Sequence, residues 1–174
     1  MVADIVTERL VLRHLSIAML EATGQGDRRK LESLLGVEVS DAWFEEADLA
    51  AWRRDDLLGD PGYAPWSLRA ICMAGGGMVG HAGFHEQPAA GVAEMGYLVF
   101  PDHRRQGIAG EAIGGLMAWA RKEAAIRRFV LSVAPGNAAS IAIAGRLGFR
   151  HDGGHEDPVD GWEDIYVLDL PARA

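Results

Sequence analysis

Residues 101–125 read PDHRRQGIAGEAIGGLMAWARKEAA and follow a strand-like run over residues 93–100. Pro101 ends the strand, because proline has no backbone N–H to donate to a central ladder. Gly107, Ala109 and Gly110 keep bulky side chains away from the turn that follows. Apolar residues then recur at intervals of three and four positions, which predicts an amphipathic helix over 107–125. The stretch therefore predicts a strand, a tight basic turn and a helix.

The beginning of this helix is a predicted anion site. Its first N–H groups have no partner within the helix, and the helix dipole places about half a positive charge there. Arg104 and Arg105 add permanent positive charge beside these donors. Nucleoside triphosphates and NAD are disfavoured, because neither Gly-Lys-Ser/Thr nor the Gly-x-Gly-x-x-Gly pattern is present. Glycines before a helix are often plain turn residues, so the wider sequence must decide.

The turn also matches a family signature. The pattern Arg104-x-x-Gly107-x-Ala109 fits the pyrophosphate-binding motif of the GNAT superfamily of N-acetyltransferases, which the chain resembles. Typical members continue with a strand, an asparagine that opens a second helix and a closing Leu-Gly-Phe; here these are 129–133, Asn137 and 147–149. The opening TERLVLR of residues 7–13 resembles the branch that contains the ribosomal-protein alanine N-acetyltransferases. The resemblance is strongest over 93–149 and covers nearly the whole chain.

The resemblance implies an α/β (α+β) fold with a mixed, strongly twisted central sheet of about six to seven strands. Helices are expected on both faces, and two splayed parallel strands at an acyl-CoA site. Acetyl-CoA is the implied co-substrate, with its pantetheine arm along the strand before the basic turn and its pyrophosphate on the turn. No metal is expected. The implied cofactor-binding residues are Tyr97, Leu98, Val99, Arg104, Arg105, Gln106, Gly107, Ile108, Ala109, Gly110, Asn137 and Ser140.

Hydrophobic patterning and turn residues give the remaining secondary structure. Strands are predicted over residues 6–15, 66–73, 78–85, 93–100, 128–133 and 162–170. Helices are predicted over 16–21, 27–35, 40–58 and 107–125, with a last helix that Asn137 caps and Gly148 closes.

Composition narrows the class of protein. A chain of 174 residues with 49% apolar composition supports one core, which predicts a single domain over residues 1–174. A net charge of −8 argues against a nucleic-acid partner, whose phosphates require Lys and Arg. Cys72 is alone, which excludes an intrachain disulfide and favours the reducing cytoplasm. No signal-peptide pattern or membrane-length apolar run is present, so no membrane partner is expected. The chain is expected to be a monomer or a homodimer.

Glu94 is the leading candidate for the general base. It lies two residues before Gly96-Tyr97, where the histone-acetylating members of the family carry their base. The alternative is an ion-paired or solvent-facing strand residue. His81, His85 and His155 are alternative bases, although each is more often a surface or hydrogen-bonded histidine. Gly96 within a strand indicates a bulge or the close approach of a ligand.

Departure of the thiolate is the other chemical step to explain. Many family members carry an acidic tyrosine seven residues after the capping asparagine, but this chain has Ala144 there. Ser140, three residues after Asn137, matches the serine used in the ribosomal-protein branch. The alternative for Ser140 is an ordinary polar residue in the first turn of a helix.

The acceptor pocket is the least determined part. In the resembled family the early helical segment covers this pocket, so Trp43, Phe44 and Trp52 are candidate walls, with ordinary core aromatics as the alternative. The expected function is acetyl transfer from acetyl-CoA to a primary amine, either a protein N-terminal α-amine or a small molecule. The alternative is a noncatalytic acyl-CoA-binding or sensing domain.

Overall fold

Eight strands form one sheet in the order β1-β2-β3-β4-β5-β6-β8-β7 in the computed structural model, which describes residues 2–158 and 161–171. The strands are Ile5–Val6 (β1), Leu10–His14 (β2), Arg69–Met73 (β3), Met78–Phe84 (β4), Val92–Val99 (β5), Arg128–Val133 (β6), Arg150–Asp157 (β7) and Gly161–Asp169 (β8). The described α-helices are Ile17–Gly24 (α1), Arg28–Leu35 (α2), Asp41–Phe44 (α3), Ala47–Gly59 (α4), Ile108–Glu123 (α5) and Ala138–Arg146 (α6). Two short 3₁₀ helices span Pro61–Tyr63 and Pro101–His103.

The parallel pair β5 and β6 separates along its length. The two strands pair from Val92 with Arg128 to Glu94 with Val130, whereas β5 continues to Val99 and β6 to Val133. The other neighbouring strands within the described residues are antiparallel. The predicted mixed α/β fold with parallel strands at its centre is therefore confirmed.

The secondary structure differs from the sequence prediction in three main places. Residues 6–15 form a hairpin of β1 and β2 rather than one strand, because the Thr7 N–H donates to the Leu10 carbonyl at 2.9 Å. The predicted helix over 40–58 is divided into α3 and α4. Strand β7 was not predicted, because its exposed residues include neighbouring glycines and lack an alternating apolar pattern. The sheet therefore has eight strands rather than six or seven.

Helices cover both faces of the sheet. His81 and Phe84 lie three positions apart on β4, so their side chains point to opposite faces. The His81 ring contacts Trp43 of α3 at a centroid distance of 5.6 Å, and the Phe84 ring lies 6.0 Å from that of Trp119 of α5. Helix α3 thus packs on one face and α5 on the other. No described helix has the length and apolar character needed to cross a bilayer.

The first turn of α5 is tied to the chain's opening segment. The Glu111 carboxylate accepts hydrogen bonds from Thr7 Oγ1 at 2.6 Å, from the Arg9 N–H at 2.7 Å and from Arg9 Nε at 2.7 Å. Burial alone would raise the pKa of Glu111, but the hydrogen bonds from Thr7 and Arg9 lower it below its usual value. The opening motif of residues 7–13 therefore holds α5, the helix whose N-terminus is predicted to bind phosphate, against β1 and β2.

Helix α6 begins and ends as its sequence predicts. Asn137 Oδ1 accepts a hydrogen bond from the Ser140 N–H at 3.1 Å, which caps the helix. Gly148 has a φ of 86°, and the Phe149 N–H donates to the Ala144 carbonyl at 2.9 Å. This is a Schellman closure, which requires the left-handed conformation that glycine adopts readily.

Candidate active site

A cavity of about 740 Å³ lies between β5, the basic turn, the start of α5 and α6. Eleven of the twelve predicted cofactor residues line it, namely Tyr97, Leu98, Val99, Arg104, Arg105, Gly107, Ile108, Ala109, Gly110, Asn137 and Ser140. Gln106 does not line the cavity, and its carbonyl accepts a hydrogen bond from Arg9 at 3.0 Å instead. Tertiary folding therefore brings β5, the basic turn and α6 together around one cavity.

The basic turn has the backbone geometry that an anion site needs. Gly107 and Arg105 have φ values of 78° and 62°, so the backbone is left-handed at both. Glu111 makes the first N–H donation within α5, to the Gly107 carbonyl at 3.1 Å. The N–H groups of residues 108–110 precede it and have no partner within the helix. The Arg104 guanidinium is held in place by donating from Nε to the Val99 carbonyl at 2.9 Å.

Glu94 lies where β5 and β6 stop pairing. Its Oε1 accepts a hydrogen bond from Ser132 Oγ at 2.5 Å and lies 3.3 Å from His85 Nδ1. The hydrogen bond from His85, followed by that from Ser132, lowers the pKa of Glu94, although burial opposes the shift. Glu94 is thus a carboxylate at neutral pH, and it is part of a three-residue cluster rather than a solitary base.

Gly96 makes room for the His85 ring. A Cβ atom added at Gly96 would lie 2.7 Å from His85 Nε2, well inside van der Waals contact. The pairing of Gly83 with Gly96 is regular, so the bulge offered as one explanation of this glycine is wrong. The close approach is made by a side chain of the protein itself.

The other two histidines that the sequence offers as candidate bases, His81 and His155, have surroundings different from those of His85. His81 is buried beside Trp43, 3.8 Å from Glu46 Oε2, and neither ring nitrogen makes a hydrogen bond in this structure. His155 lies on the exposed strand β7. The ligand atoms of His155, Asp157 and Glu163 come within 4.8 Å of one another, but these residues line neither of the two cavities described here.

A second cavity, of about 590 Å³, adjoins the His85 side of this cluster. It is lined by Trp52, Arg53, Asp55, Asp56, Gly59, Asp60, Tyr63, His85, Glu86 and Gln87. His85 therefore connects this acidic hollow to Glu94. Sequence reasoning missed the acidic wall, because charged residues on a helix have the same pattern as an ordinary solvent-facing surface.

The three predicted pocket aromatics are separated by the fold. Trp52 lines the second cavity and is 61% exposed. Trp43 is fully buried and donates from Nε1 to Thr23 Oγ1 at 2.8 Å. Phe44 lies under the Arg28 guanidinium, 4.9 Å from its Cζ. Trp43 and Phe44 line neither cavity, so core packing accounts for their positions.

Comparisons with known proteins agree with this geometry. The family model of the acetyltransferase (GNAT) domain matches residues 9–150. The chain belongs to the GNAT acetyltransferase family. This membership indicates an acyltransferase, as the signature around Arg104 and Gly107 predicted.

Individual relatives are distant but cover more than four fifths of the chain. The "Uncharacterized N-acetyltransferase YjdG" of Bacillus subtilis (strain 168) is 28% identical over 151 residues, covering 82% of this chain and 87% of the relative. The solved ribosomal L7/L12 alpha-N-protein acetyltransferase RimL, in complex with coenzyme A, has a TM-score of 0.68 at 23% identity, covering 97% and 98%. The microcin C7 self-immunity acetyltransferase MccE, in complex with acetyl-CoA and AMP, has a TM-score of 0.65 at 18% identity, covering 94% of each chain. The predicted resemblance to the ribosomal-protein branch is confirmed at the level of the fold.

Proposed function

We propose that this GNAT protein transfers the acetyl group of acetyl-CoA to a primary amine. The observation that carries the proposal is the single cavity that joins the splayed strand β5 to the positive N-terminus of α5. A long ligand whose pyrophosphate and thioester lie at opposite ends of an extended pantetheine arm matches such a cavity. The coenzyme A and acetyl-CoA complexes of the RimL and MccE structures agree with this assignment.

The basic turn is the proposed pyrophosphate site. Arg104 and Arg105 supply charge, and the N–H groups of residues 108–110 supply directed donors. A Cβ added at Gly110 would have no atom within 4 Å, so the space beside this turn is open to a ligand. These residues bind and orient the co-substrate, and they leave the chemistry to groups farther along β5.

The cluster of Glu94, His85 and Ser132 is the proposed proton acceptor. An alkyl ammonium must lose a proton before its nitrogen can attack a thioester. Glu94 can accept this proton directly or through a water. It can also hold the Nδ1–H of His85, in which case Nε2 accepts the proton. The second arrangement leaves the proton acceptor beside Gly96, at the edge of the second cavity.

The backbone of β5 is the proposed oxyanion site. Attack on the thioester carbonyl forms a tetrahedral oxyanion, and an N–H donor aimed at that oxygen stabilises it. Leu98 and Val99 line the cavity on the segment of β5 that no longer pairs with β6. Even-numbered residues of this strand direct their backbone groups toward β4, as the Phe100 N–H does in donating to the Val79 carbonyl at 2.9 Å. Of the two residues, Leu98 is therefore engaged with β4, and the Val99 N–H is the candidate for this role.

The acceptor is proposed to enter by the second cavity. Asp60 and Glu86 give this hollow negative character, which suits an ammonium group, and Trp52 offers an exposed aromatic face. A protein N-terminal α-amine and a small-molecule amine both satisfy these demands. RimL is described as acting on the α-amine of a ribosomal protein, which favours a peptide N-terminus as the first acceptor to test.

A noncatalytic acyl-CoA-binding domain is the second candidate, favoured by one observation. Ala144, at the place where many relatives carry a tyrosine, is fully buried and has no acidic group.

The cytoplasm remains the proposed location, because the only cysteine of the chain is a free, buried thiol.

An acceptor screen decides between these candidates. The protein is incubated with acetyl-CoA and either short peptides beginning with Ser or Ala or a panel of small primary amines, and free thiol release is measured. Transfer with acetylated product confirmed by mass is expected in one arm. Tight coenzyme A binding with no transfer to any acceptor would contradict the enzyme and support the binding domain.

A further inference from the structure

The Tyr97 hydroxyl is buried and yet has no hydrogen-bond partner among residues 2–158 and 161–171. Tyr97 lines the same cavity as the basic turn. A buried hydroxyl without a partner is unfavourable, and such groups in native proteins call for an explanation. The simplest is that a ligand in the cavity completes the missing hydrogen bond.

Tyr97 begins the continuous stretch of chain, from β5 to the start of α5, that supplies much of the cavity lining. It is the first residue of β5 to line the cavity, and it lies three residues after Glu94, where pairing with β6 ends. The turn that begins the anion site, from Arg104 onward, lies at the other end of the lining segment. A ligand with its pyrophosphate on the turn therefore brings its thioester toward Tyr97. This step rests on the proposed function.

Hydroxyl groups are scarce in this cavity. Within its described lining, they belong to Tyr97 and Ser140. Burial raises the pKa of Tyr97, while the nearby Ser140 hydroxyl and the charge of Arg146 lower it in part. Ser140 nevertheless makes no hydrogen bond to Tyr97 in this structure. The phenol therefore remains protonated at neutral pH and available as a donor.

We propose that the Tyr97 hydroxyl donates a hydrogen bond to the sulfur of coenzyme A and stabilises the thiolate as it leaves. In this step the C–S bond of the tetrahedral adduct breaks, and its electron pair passes to sulfur while the amide carbonyl re-forms. Tyr97 keeps its proton, because a phenol with a raised pKa is a weaker acid than a thiol, whose pKa is near 8.5. The ammonium proton, removed before attack, stays with the Glu94 and His85 cluster. The adduct nitrogen loses its second proton to solvent as the amide forms, and the thiolate takes up a proton from solvent.

Binding of coenzyme A as a function of pH tests this role without turnover. A donor at sulfur lowers the pKa of the bound thiol, so coenzyme A should bind more tightly at pH 9 than at pH 7. Desulfo-coenzyme A, which lacks the thiol, controls for the other pH effects in the site, whose charged and titratable lining residues besides Tyr97 are His103, Arg104, Arg105 and Arg146. We expect the affinity ratio of coenzyme A to desulfo-coenzyme A to rise by about three- to tenfold between these pH values in the wild type. Tyr97→Phe should abolish this rise.

Turnover provides the second measurement. Tyr97→Phe should lower kcat by about ten- to a hundredfold while the affinity for desulfo-coenzyme A changes by less than about threefold. The proposal is overturned if wild-type affinity ratios do not change with pH, a result that needs no variant. It is also overturned if Tyr97→Phe weakens both ligands equally at every pH, which would place the hydroxyl on the pantetheine arm. Failure of the proposed function looks different, since the wild type would then fail to bind coenzyme A or to transfer acetyl.

Discussion

Two adjacent glycines in the interior of α5 should respond in opposite ways to the same substitution. A Cβ atom added at Gly115 would lie 2.6 Å from Thr7 Cγ2, whereas one added at Gly114 would have no atom within 4 Å. Replacing glycine by alanine inside a helix contributes up to about 1 kcal/mol through helix propensity. Gly114→Ala should therefore raise the free energy of unfolding by about 0.5–1 kcal/mol.

Gly115→Ala has the same favourable effect on helix propensity, but its new Cβ atom would clash with the Thr7 methyl group. Carbon atoms pack at about 3.5–4.0 Å, so Thr7 must move by roughly 1 Å. That movement weakens its 2.6 Å hydrogen bond to Glu111, and a hydrogen bond to a charged group is worth about 1.5–3 kcal/mol. Overpacking adds about 1–3 kcal/mol of cost. When both costs are taken in full and the propensity gain of about 0.5–1 kcal/mol is subtracted, we expect a net loss of about 1.5–5.5 kcal/mol.

Urea unfolding and thermal unfolding, each followed by circular dichroism, measure both variants. In a protein of this size the two should differ in Tm by several degrees, because 1 kcal/mol corresponds to about 2–4 °C. The double variant Gly115→Ala with Thr7→Ser removes the clashing methyl group and keeps the hydroxyl, so it should recover most of the lost stability relative to Thr7→Ser alone. Equal stabilities for Gly114→Ala and Gly115→Ala would refute the reasoning.

Four further predictions concern the site and its support. Gly107→Asp should bind acetyl-CoA more than tenfold less tightly, by calorimetry, than the matched variant Gly107→Asn. Both variants have the same backbone strain at a φ of 78°, but Gly107→Asn lacks the charge. Equal affinities would contradict the assignment of the anion site. Glu94→Gln should lower kcat more than acetyl-CoA affinity, and unchanged activity at neutral pH would make Glu94 structural. Ser140→Ala should lower kcat by about tenfold, less than Tyr97→Phe, and a wild-type rate from pH 6 to 9 would exclude Ser140 from the reaction. The folded-state pKa of Glu111 is lowered, so its ionised form stabilises the fold. The difference in free energy of unfolding between wild type and Glu111→Gln should be complete above about pH 4.3 and should shrink as pH falls through the folded pKa. A difference that is independent of pH in urea titrations would contradict this.

Sequence alone was sufficient where the signal lies within a few residues. The basic turn, the helix that follows it, the Asn137 cap and the Gly148 closure were all predicted where the structure has them. Each depends on a local requirement, such as a left-handed backbone or an N-terminal donor without a partner. The mixed α/β fold and the GNAT family followed from the same stretch, because its signature is short and continuous.

Only the tertiary structure decided which side chains meet. Glu94 contacts His85 and Ser132, which lie nine residues before it and 38 residues after it, and Glu111 binds Thr7 across 104 residues. Such contacts depend on strand register and helix placement, and a local pattern of residue types does not encode them. For the same reason Trp43 and Trp52 look alike in sequence, although one is fully buried and the other lines a cavity. The fold and the phosphate turn were therefore readable from the chain, whereas the partners of Glu94 and the isolation of the Tyr97 hydroxyl arise from packing between segments that are distant in sequence.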